Sequence, residues 1–250
     1  MKLTPLVVIL FTILILTALL QKKGIRISRT STHYEENGNQ SQYSKSFLYL
    51  ENKQLKIDIV GRQLNQSIIF RGDEQKIWFL DHFRKTYFSL SRKEAEVLKF
   101  TRFNKQFTTP GIKNITDPLL LSKPLNPIFV THDQVNGWPC QKYNLNDNKG
   151  LISELWAADL GSIGLSPENL SLIQELDNFI LALGPSSNYK IPKFTFQNQQ
   201  GFNGFTIKST SYLDGKIASI HKLDKVEKMK FHEDIFQIPN YREEKNLENN

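Results

Sequence analysis

Residues 54–80 read QLKIDIVGRQLNQSIIFRGDEQKIWFL, and this stretch decides the fold class. In Gln54–Val60, apolar residues alternate with charged ones, which is the period of a half-buried β-strand. Ser67–Arg71 and Lys76–Leu80 flank Gly72-Asp73-Glu74, a sequence typical of a hairpin turn. Strands this close in the chain must pair antiparallel, because parallel pairing needs a crossover of about a dozen residues or more.

Strand-like composition recurs on both sides of this stretch. The Asp214-Gly215 pair predicts the turn of a further hairpin. The other predicted strands are Lys45–Glu51, Lys85–Leu90, Gln134–Asn144, Gly150–Ala158, Phe205–Tyr212, Lys216–Lys222 and Lys225–Phe231. The sequence therefore predicts a meander of short strands, with no repeat of fixed period.

Two helices interrupt the predicted strands. Ser91 and Glu94 have the spacing of a capping box, and phenylalanines at helical spacing follow in residues 100–107. A proline-rich segment over residues 108–127 cannot be regular for long. The second helix is predicted to begin with Ser166 as cap and Pro167 in the first turn, and to stop at Gly184-Pro185. Strands interrupted by two helices predict an α+β fold with an antiparallel sheet.

The N-terminal segment Leu3–Leu20 is apolar apart from two threonines and one proline. Lys2 precedes it, and bulky residues before Gln21 stand where a signal peptidase needs small ones. Its length lies between that of a signal-peptide core and that of a membrane span. An uncleaved signal-anchor, a cleaved signal peptide and a buried helix are the three interpretations.

The domain organisation follows from these patterns. Residues 1–23 are the signal peptide or signal-anchor helix, and the polar, turn-rich residues 24–42 are predicted to be a linker. Residues 43–242 are predicted to form the folded domain. Residues 243–250 form a charged tail.

Several short motifs resemble one known family. They are Ile68–Asp73, the Gly137–Tyr143 element G-x-x-C-x-K-Y, Glu154–Leu160, and Phe236–Tyr241, which is similar to an F-x-x-P-x-x-Y ending. Together they resemble the exported bacterial family known as domain of unknown function 4412, within the superfamily of the lipoprotein carrier LolA and its outer-membrane acceptor. The resemblance implies a half-open β-barrel with a curved sheet covered by helices and an apolar concave face, preceded here by one N-terminal apolar helix. It supplies no catalytic residues.

The sequence contains no pattern of a catalytic or metal site. His82, His132, His221 and His232 are scattered, without the paired spacing of a zinc site. A single cysteine, Cys140, excludes a disulfide framework and a multi-cysteine metal site, and packing in the core is its favoured role. Nucleotide-binding loops and the serine-hydrolase elbow are absent from the sequence, so we predict no enzyme, no metal and no cofactor.

Five aromatic residues on predicted strands are candidates for lining a cavity. They are Trp78, Tyr87, Trp138, Trp156 and Phe205. On one face of the sheet they would form either a packed core or the wall of an apolar cavity, and both arrangements bury the same surface. The resemblance to a half-barrel favours the cavity.

The net charge of +7 suggests at first an anionic partner. Three of the 32 basic residues, Lys2, Lys22 and Lys23, bracket the apolar segment, so 29 remain against 25 acidic residues. Nearly half of the net charge therefore flanks the apolar segment, which indicates contact of residues 3–20 with a membrane. Nucleic acid is not an expected partner.

The function predicted from the sequence is non-catalytic. We expect an exported or membrane-tethered protein, either anchored in the inner membrane and facing the periplasm or secreted to the periplasm. Its expected ligand is hydrophobic, either a lipid or a lipoprotein acyl chain. The alternative is a protein-interaction or sensory domain that uses exposed sheet edges. A hydrolase is a third hypothesis, which a Ser-His-Asp cluster would favour.

Overall fold

The fold is one large β-sheet. The computed structural model describes residues 24–62, 64–97, 126–148, 150–182, 195–197, 203–232 and 234–244. The strands are β1 (Gly24–Tyr34), β2 (Gln40–Glu51), β3 (Gln54–Gly61), β4 (Leu64–Arg71), β5 (Lys76–Asp81), β6 (Thr86–Ser91), β7 (Ile128–Val135), β8 (Trp138–Asp147), β9 (Gly150–Asp159), β10 (Thr195–Gln197), β11 (Asn203–Leu213), β12 (Lys216–Met229) and β13 (Arg242–Glu243). The helices are α1 (Arg92–Val97), a 3-10 turn (Gly161–Ile163) and α2 (Pro167–Ala182).

The sheet has thirteen strands in the order β13-β6-β5-β4-β3-β2-β1-β12-β11-β9-β8-β7, with β10 paired to β11. Neighbouring strands pair antiparallel, except β13, which lies parallel to β6. Strands β2 to β6 form the predicted meander, and β1, which was not predicted, pairs beside β2. β12 then pairs with β1 and brings the C-terminal half of the chain beside the N-terminal half.

The prediction of an α+β fold with helices covering the sheet is wrong. The sheet is open, with β13 and β7 at its two edges, and the described residues contain only two α-helices. The reason lies partly in residues 24–42, predicted to be a linker. Ile25 and Ile27 alternate with polar residues there, and β-branched threonines follow, so Gly24–Tyr34 joins the sheet as β1.

Two rows of apolar side chains cross six strands on one face, which we call the core face. One row runs Ile25, Leu50, Leu55, Phe70, Ile77, Leu90, and the other Ile27, Leu48, Ile57, Ile68, Phe79, Phe88. Residues directly opposite each other in neighbouring strands project from the same face. All twelve are buried, and helix α2 packs on them with the Phe179 ring 5.9 Å from that of Phe70.

The C-terminal segment Phe231–Glu244, which we call the strap, lies against the opposite, outer face. Phe231 contacts Tyr49 ring to edge at 5.5 Å. Farther along, Ile238 and Tyr241 pack on a cluster of Ile69, Trp78 and Leu80. The strap ends as β13, whose Arg242 backbone N–H donates to the Lys85 carbonyl at 3.1 Å.

Both predicted helix starts are confirmed. The Glu94 carboxylate accepts from the Ser91 backbone N–H at 2.6 Å, and the Glu94 N–H donates to the Ser91 hydroxyl at 3.3 Å, which is a capping box. At α2, the Asn169 N–H donates to the Ser166 hydroxyl at 3.3 Å. The phenylalanines of residues 100–107, the proline-rich residues 108–125 and the stop at Gly184-Pro185 lie outside the described residues.

Two strand predictions need correction. Gln134–Asn144 was predicted as one strand, but Asn136 and Gly137 have φ of 54° and 87° and make the turn between β7 and β8. Lys225–Phe231 is not a separate strand, because β12 continues through a register shift near Asp224 to Met229. The predicted N-terminal apolar helix, residues 1–23, and tail residues 245–250 lie outside the described residues. Within the described ranges, no helix is long and apolar enough to span a membrane.

Candidate ligand-binding site

The core face changes from apolar to polar along the strands. On β1, Ile25 and Ile27 are followed at the same period of two by Arg29, Ser31 and His33. Arg29 and Ser31 are buried, Arg29 with only 1% of its surface exposed. The polar end of the core face is therefore continuous with the apolar rows.

A row of small polar side chains crosses four strands at this polar end. Ser44, Ser31, His221 and Ser209 lie on β2, β1, β12 and β11, each directly opposite the next. All four are buried. Three of the four are serines, so this serine–histidine row fills far less volume than the rows of leucine, isoleucine and phenylalanine farther along the same strands.

The electrostatics of the row are set by burial. His221 Nδ1 lies 2.8 Å from the Ser31 hydroxyl, and the His33 ring stands edge-on to His221 at 5.6 Å. Burial, with the nearby Arg29 and His33, lowers the pKa of His221 to about 3, so its ring is neutral near pH 7. Burial lowers the pKa of Arg29 to about 10, against the opposing effect of Asp224 and Asp177. The row thus offers neutral hydrogen-bonding groups beside one buried cation.

The five aromatic residues predicted to line a cavity do not come together. Trp156 and Phe205 belong to the main core cluster, and Trp138 packs against it. Trp78 and Tyr87 belong instead to the cluster beneath Ile238 and Tyr241 of the strap. Strand alternation assigned all five to strands, but the motif that ends at Tyr241 gave no indication that this segment covers two of them.

Trp156 joins four strands through its ring. Its Nε1–H donates to Asp133 Oδ2 at 2.8 Å, and the Nζ atoms of Lys142 and Lys208 lie 4.9 and 4.1 Å from the ring centroid. Lys142 Nζ also lies 2.5 Å from Glu154 Oε1. These contacts tie β7, β8, β9 and β11 together, so Trp156 has a structural role independent of any ligand.

A second polar cluster contains Ser67, Asp58 and His82, the residue types of a hydrolase. The Ser67 hydroxyl donates to Asp58 Oδ1, and its Oγ lies 2.6 Å from His82 Nε2. In a catalytic triad the histidine stands between the serine and the acid, whereas here the serine stands between the other two. Ser67 is also completely buried. The arrangement does not present a nucleophile to a substrate.

The proton positions in this cluster follow from the chemistry of its members. An ionised carboxylate only accepts, so the hydroxyl proton of Ser67 goes to Asp58. His82 Nε2 then carries the proton donated to Ser67 Oγ. Burial lowers the pKa of His82, which keeps the ring neutral, so Nδ1 accepts from the Tyr241 hydroxyl at 2.9 Å.

Cys140 is confirmed as a buried packing residue. It belongs to the main core cluster, and burial, with the nearby Asp133, raises the pKa of its thiol to about 11. Such a thiol is almost entirely protonated at pH 7 and is a poor nucleophile. Within the ranges that the structure describes, no three His, Cys, Asp or Glu side chains are grouped so as to hold a metal ion.

Sequence reasoning missed the serine–histidine row. Ser31 lay in the predicted linker, and His221 was one of four scattered histidines. The available signal was the alternation in Gly24–Tyr34, which continues without a break from isoleucine to arginine, serine and histidine. Pairing Ser31 with His221, 190 residues away, needed the strand order.

No protein-family model and no curated protein sequence matches this chain. An uncharacterized conserved protein of Thermus thermophilus aligns over 93% of this chain and 98% of its own, with 6% identity and a TM-score of 0.43. A LolA-superfamily protein from Nitrosomonas europaea aligns over 87% and 90%, with 10% identity and a TM-score of 0.31. The Pseudomonas aeruginosa MucA/MucB complex aligns over 87% of this chain and 56% of that one, with 10% identity and a TM-score of 0.38. These similarities include the superfamily that the sequence motifs resemble, but they are too distant to carry an argument about function.

Proposed function

We propose that this chain is a non-catalytic binding protein that acts outside the cytoplasm and holds an amphipathic acyl ligand on the core face of its sheet. The observation that carries the proposal is the buried serine–histidine row, which follows the apolar rows on the core face of β1 and β2 with one intervening row of Ser46, Arg29 and Leu223. An acyl chain fits beside leucine, isoleucine and phenylalanine side chains, and a polar head group needs neutral donors and acceptors. Both environments occur side by side on the same strands.

The position of α2 supports the same reading. Leu172 and Glu175 of α2 lie within about 3 Å of where a Cβ on Gly72 would stand, so the helix sits close over the β4–β5 turn. That turn is at the end of the strands opposite to the serine–histidine row. Among the five aromatic candidates, Trp138, Trp156 and Phe205 remain proposed lining residues. Trp78 and Tyr87 would require the strap to move.

In the Ser67 cluster the serine, and not the histidine, stands between the other two residues, which supports a non-enzymatic role. Export is supported by the apolar segment Leu3–Leu20 with Lys2 before it. We therefore place the protein in the cell envelope, tethered or released on the periplasmic side.

Displacement of a fluorescent fatty acid from delipidated full-length protein tests the proposal. Ser44→Val fills space in the serine–histidine row and should weaken binding about tenfold, equivalent to ~1.4 kcal/mol. Thr32→Val is the matched control, because Thr32 lies on β1 with the opposite alternation to Ser31. If the wild-type protein binds no probe and carries no lipid in native mass spectrometry, the proposal is wrong.

A second candidate function is recruitment of a partner strand, which the edge strand β7 favours. Ile128, Phe129 and Val130 are 56%, 44% and 45% exposed. β7 pairs with β8 and lies at the end of the order of the described strands, and among these its other side is an edge that can accept a strand. A photo-crosslinker at Phe129 should capture one protein species in cells, whereas one at the exposed Lys53 should not. Capture from both positions, or from neither, would count against strand recruitment.

A further inference from the structure

The exposed large apolar side chains of the described residues all lie at one end of the sheet. This end holds the β1–β2, β3–β4, β5–β6, β8–β9 and β11–β12 turns and the start of β7. We call the set the apolar rim: Tyr43, Val60, Phe83, Ile128, Phe129, Val130, Leu151, Leu213 and Ile217. Scattered exposed apolar residues are ordinary, but their collection at one end of a sheet marks an interaction surface.

On β2 to β6, each apolar residue of the rim has a cation beside it. Lys45 lies directly opposite Val60. In the β5–β6 turn, Phe83 is 64% exposed and is followed by the exposed Arg84 and Lys85. Tyr43 precedes Lys45 by two residues, just as Val60 precedes the exposed Arg62. We call these apolar residues of β2 to β6 and the cations beside them the basic rim: Tyr43, Lys45, Val60, Arg62, Phe83, Arg84 and Lys85.

On β2 to β6, the acidic residues at this end neutralise only one cation of the basic rim. Asp81 accepts from the Phe83 and Arg84 backbone N–H groups at 3.0 Å, and its Oδ2 lies 3.9 Å from Arg84 Nε. Glu35 and Glu36 lie in the β1–β2 turn, beyond Tyr43. The exposed tips of β3–β4 and β5–β6 therefore present phenylalanine, valine and cations.

Two further positions on the outer face carry lysines, and Lys208, which packs on the Trp156 ring at 4.1 Å, lies at the end of the same row. Lys208, Lys222, Thr30 and Lys45 lie directly opposite one another in succession on β11, β12, β1 and β2. Within the described residues, none of these lysines forms an ion pair. Lys208 is held on the Trp156 ring, so Lys222 and Lys45, on either side of Thr30, are the lysines of this row that add positive charge beside the basic rim.

We propose that the basic rim docks on an anionic lipid surface. Tyr43, Val60 and Phe83 enter the interface, and the neighbouring lysine and arginine side chains contact head-group phosphates. The apolar tips stand on separate turns, each with its own cation. Separate apolar tips can each insert into the hydrocarbon of a flat lipid layer while their cations contact its negative charges. A protein partner would instead need a groove that matches the shape of these tips.

The location of the basic rim makes the proposal separable from any membrane contact of residues 3–20. β1 starts at Gly24 at the other end of the sheet, and its eleven residues span about 35 Å at ~3.3 Å per residue. A probe on the basic rim therefore lies at the end of the sheet opposite to Gly24. The proposal does not depend on the acyl-binding function.

The test uses full-length protein with an environment-sensitive fluorophore on an introduced thiol. Phe83→Cys places the label on the basic rim, and Lys53→Cys places it in the exposed β2–β3 turn at the other end. Native Cys140 is buried and stays unlabelled under native conditions. Vesicles of phosphatidylcholine with or without an equal share of phosphatidylglycerol provide the lipid surface.

We expect the emission at position 83 to rise and shift to the blue with the anionic vesicles, less so with added salt, and to stay unchanged at position 53. Adding Lys45→Glu and Arg62→Glu to the Phe83→Cys protein should raise the lipid concentration for half-maximal response about tenfold or more. An unshifted emission at position 83 with anionic vesicles overturns the proposal. Equal shifts at both positions, or a shift with soluble polyglutamate and not with vesicles, also overturn it.

Discussion

The Ser67 Oγ atom lies 2.6 Å from His82 Nε2, and the same hydroxyl donates to Asp58 on the neighbouring strand. From His82 the chain of hydrogen bonds continues to the Tyr241 hydroxyl at 2.9 Å. Asp58 also lies 3.1 Å from Lys56 Nζ. The cluster therefore fastens the strap to strands β3 and β4, and its serine is a structural residue.

Ser67→Ala should lower the free energy of unfolding by about 1–3 kcal/mol, because Asp58 and His82 each lose a buried partner. Tyr241→Phe should cost about 0.5–1.5 kcal/mol, since it removes one hydrogen bond at the strap. Urea denaturation measures both changes. Neither variant should alter fatty-acid binding. An ester hydrolysis that wild type performs and Ser67→Ala does not would contradict the structural role.

Helix α2 should depend strongly on one aromatic contact with the sheet. Phe179 is buried with its ring 5.9 Å from Phe70, so Phe179→Ala should cost about 3–5 kcal/mol of unfolding free energy. Asn178→Ala is the matched control. Asn178 is the exposed neighbour of Phe179 on the same helix, so its substitution should change stability by less than about 0.5 kcal/mol. Equal effects of the two substitutions would show that α2 does not rest on this contact.

Local signals predicted the parts of this fold that depend on neighbouring residues. The meander from Gln54 to Leu80 follows from alternation and short turns, and the starts of α1 and α2 follow from Ser91 and Ser166. The Asn136-Gly137 turn was available as a hairpin signal and was overlooked.

Long-range pairing explains what the sequence could not predict. The alternation of β1 shows which of its side chains face the core, but the partner of Ser31 is known only when β12 pairs with β1 and brings His221 opposite it. The polar character of residues 28–34 suggested solvent exposure, but Arg29 and Ser31 are buried on the core face. Likewise the strap carries no periodic pattern, so its cover over Trp78 required the tertiary structure.

The start of β1 should tolerate no side chain larger than hydrogen. A Cβ on Gly24 would stand 2.1 Å from the nearest ring atom of Phe231, so Gly24→Ala should cost about 1–3 kcal/mol through overpacking. Adding Phe231→Leu should recover part of that loss, because the smaller side chain vacates the contact. A double-mutant cycle by urea denaturation measures the coupling. Strictly additive effects would mean that the two residues do not compete for this space.

The buried ring of His221 should make stability depend on pH. Its folded pKa is about 3 against 6.5 for the ordinary group, and burial is the main cause. Above pH 6.5 the ring is neutral in both the folded and the unfolded chain, so its protonation does not reduce the free energy of unfolding. As the pH falls from 6.5 towards 3, the unfolded chain takes up a proton that the folded chain does not, so that stability is lost.

Wild type should therefore lose about 2 kcal/mol more stability than His221→Gln between pH 7 and pH 5, at ~1.4 kcal/mol for each pH unit below 6.5. Urea denaturation at several pH values gives this difference. The pH-dependent contributions of the carboxylates are the same in both proteins and cancel when the two curves are subtracted. Titration of the His221 ring by NMR gives the folded pKa directly. Parallel stability curves for the two proteins, or a ring that titrates near 6.5, would mean that His221 is exposed to water and the serine–histidine row is not a closed part of the core face.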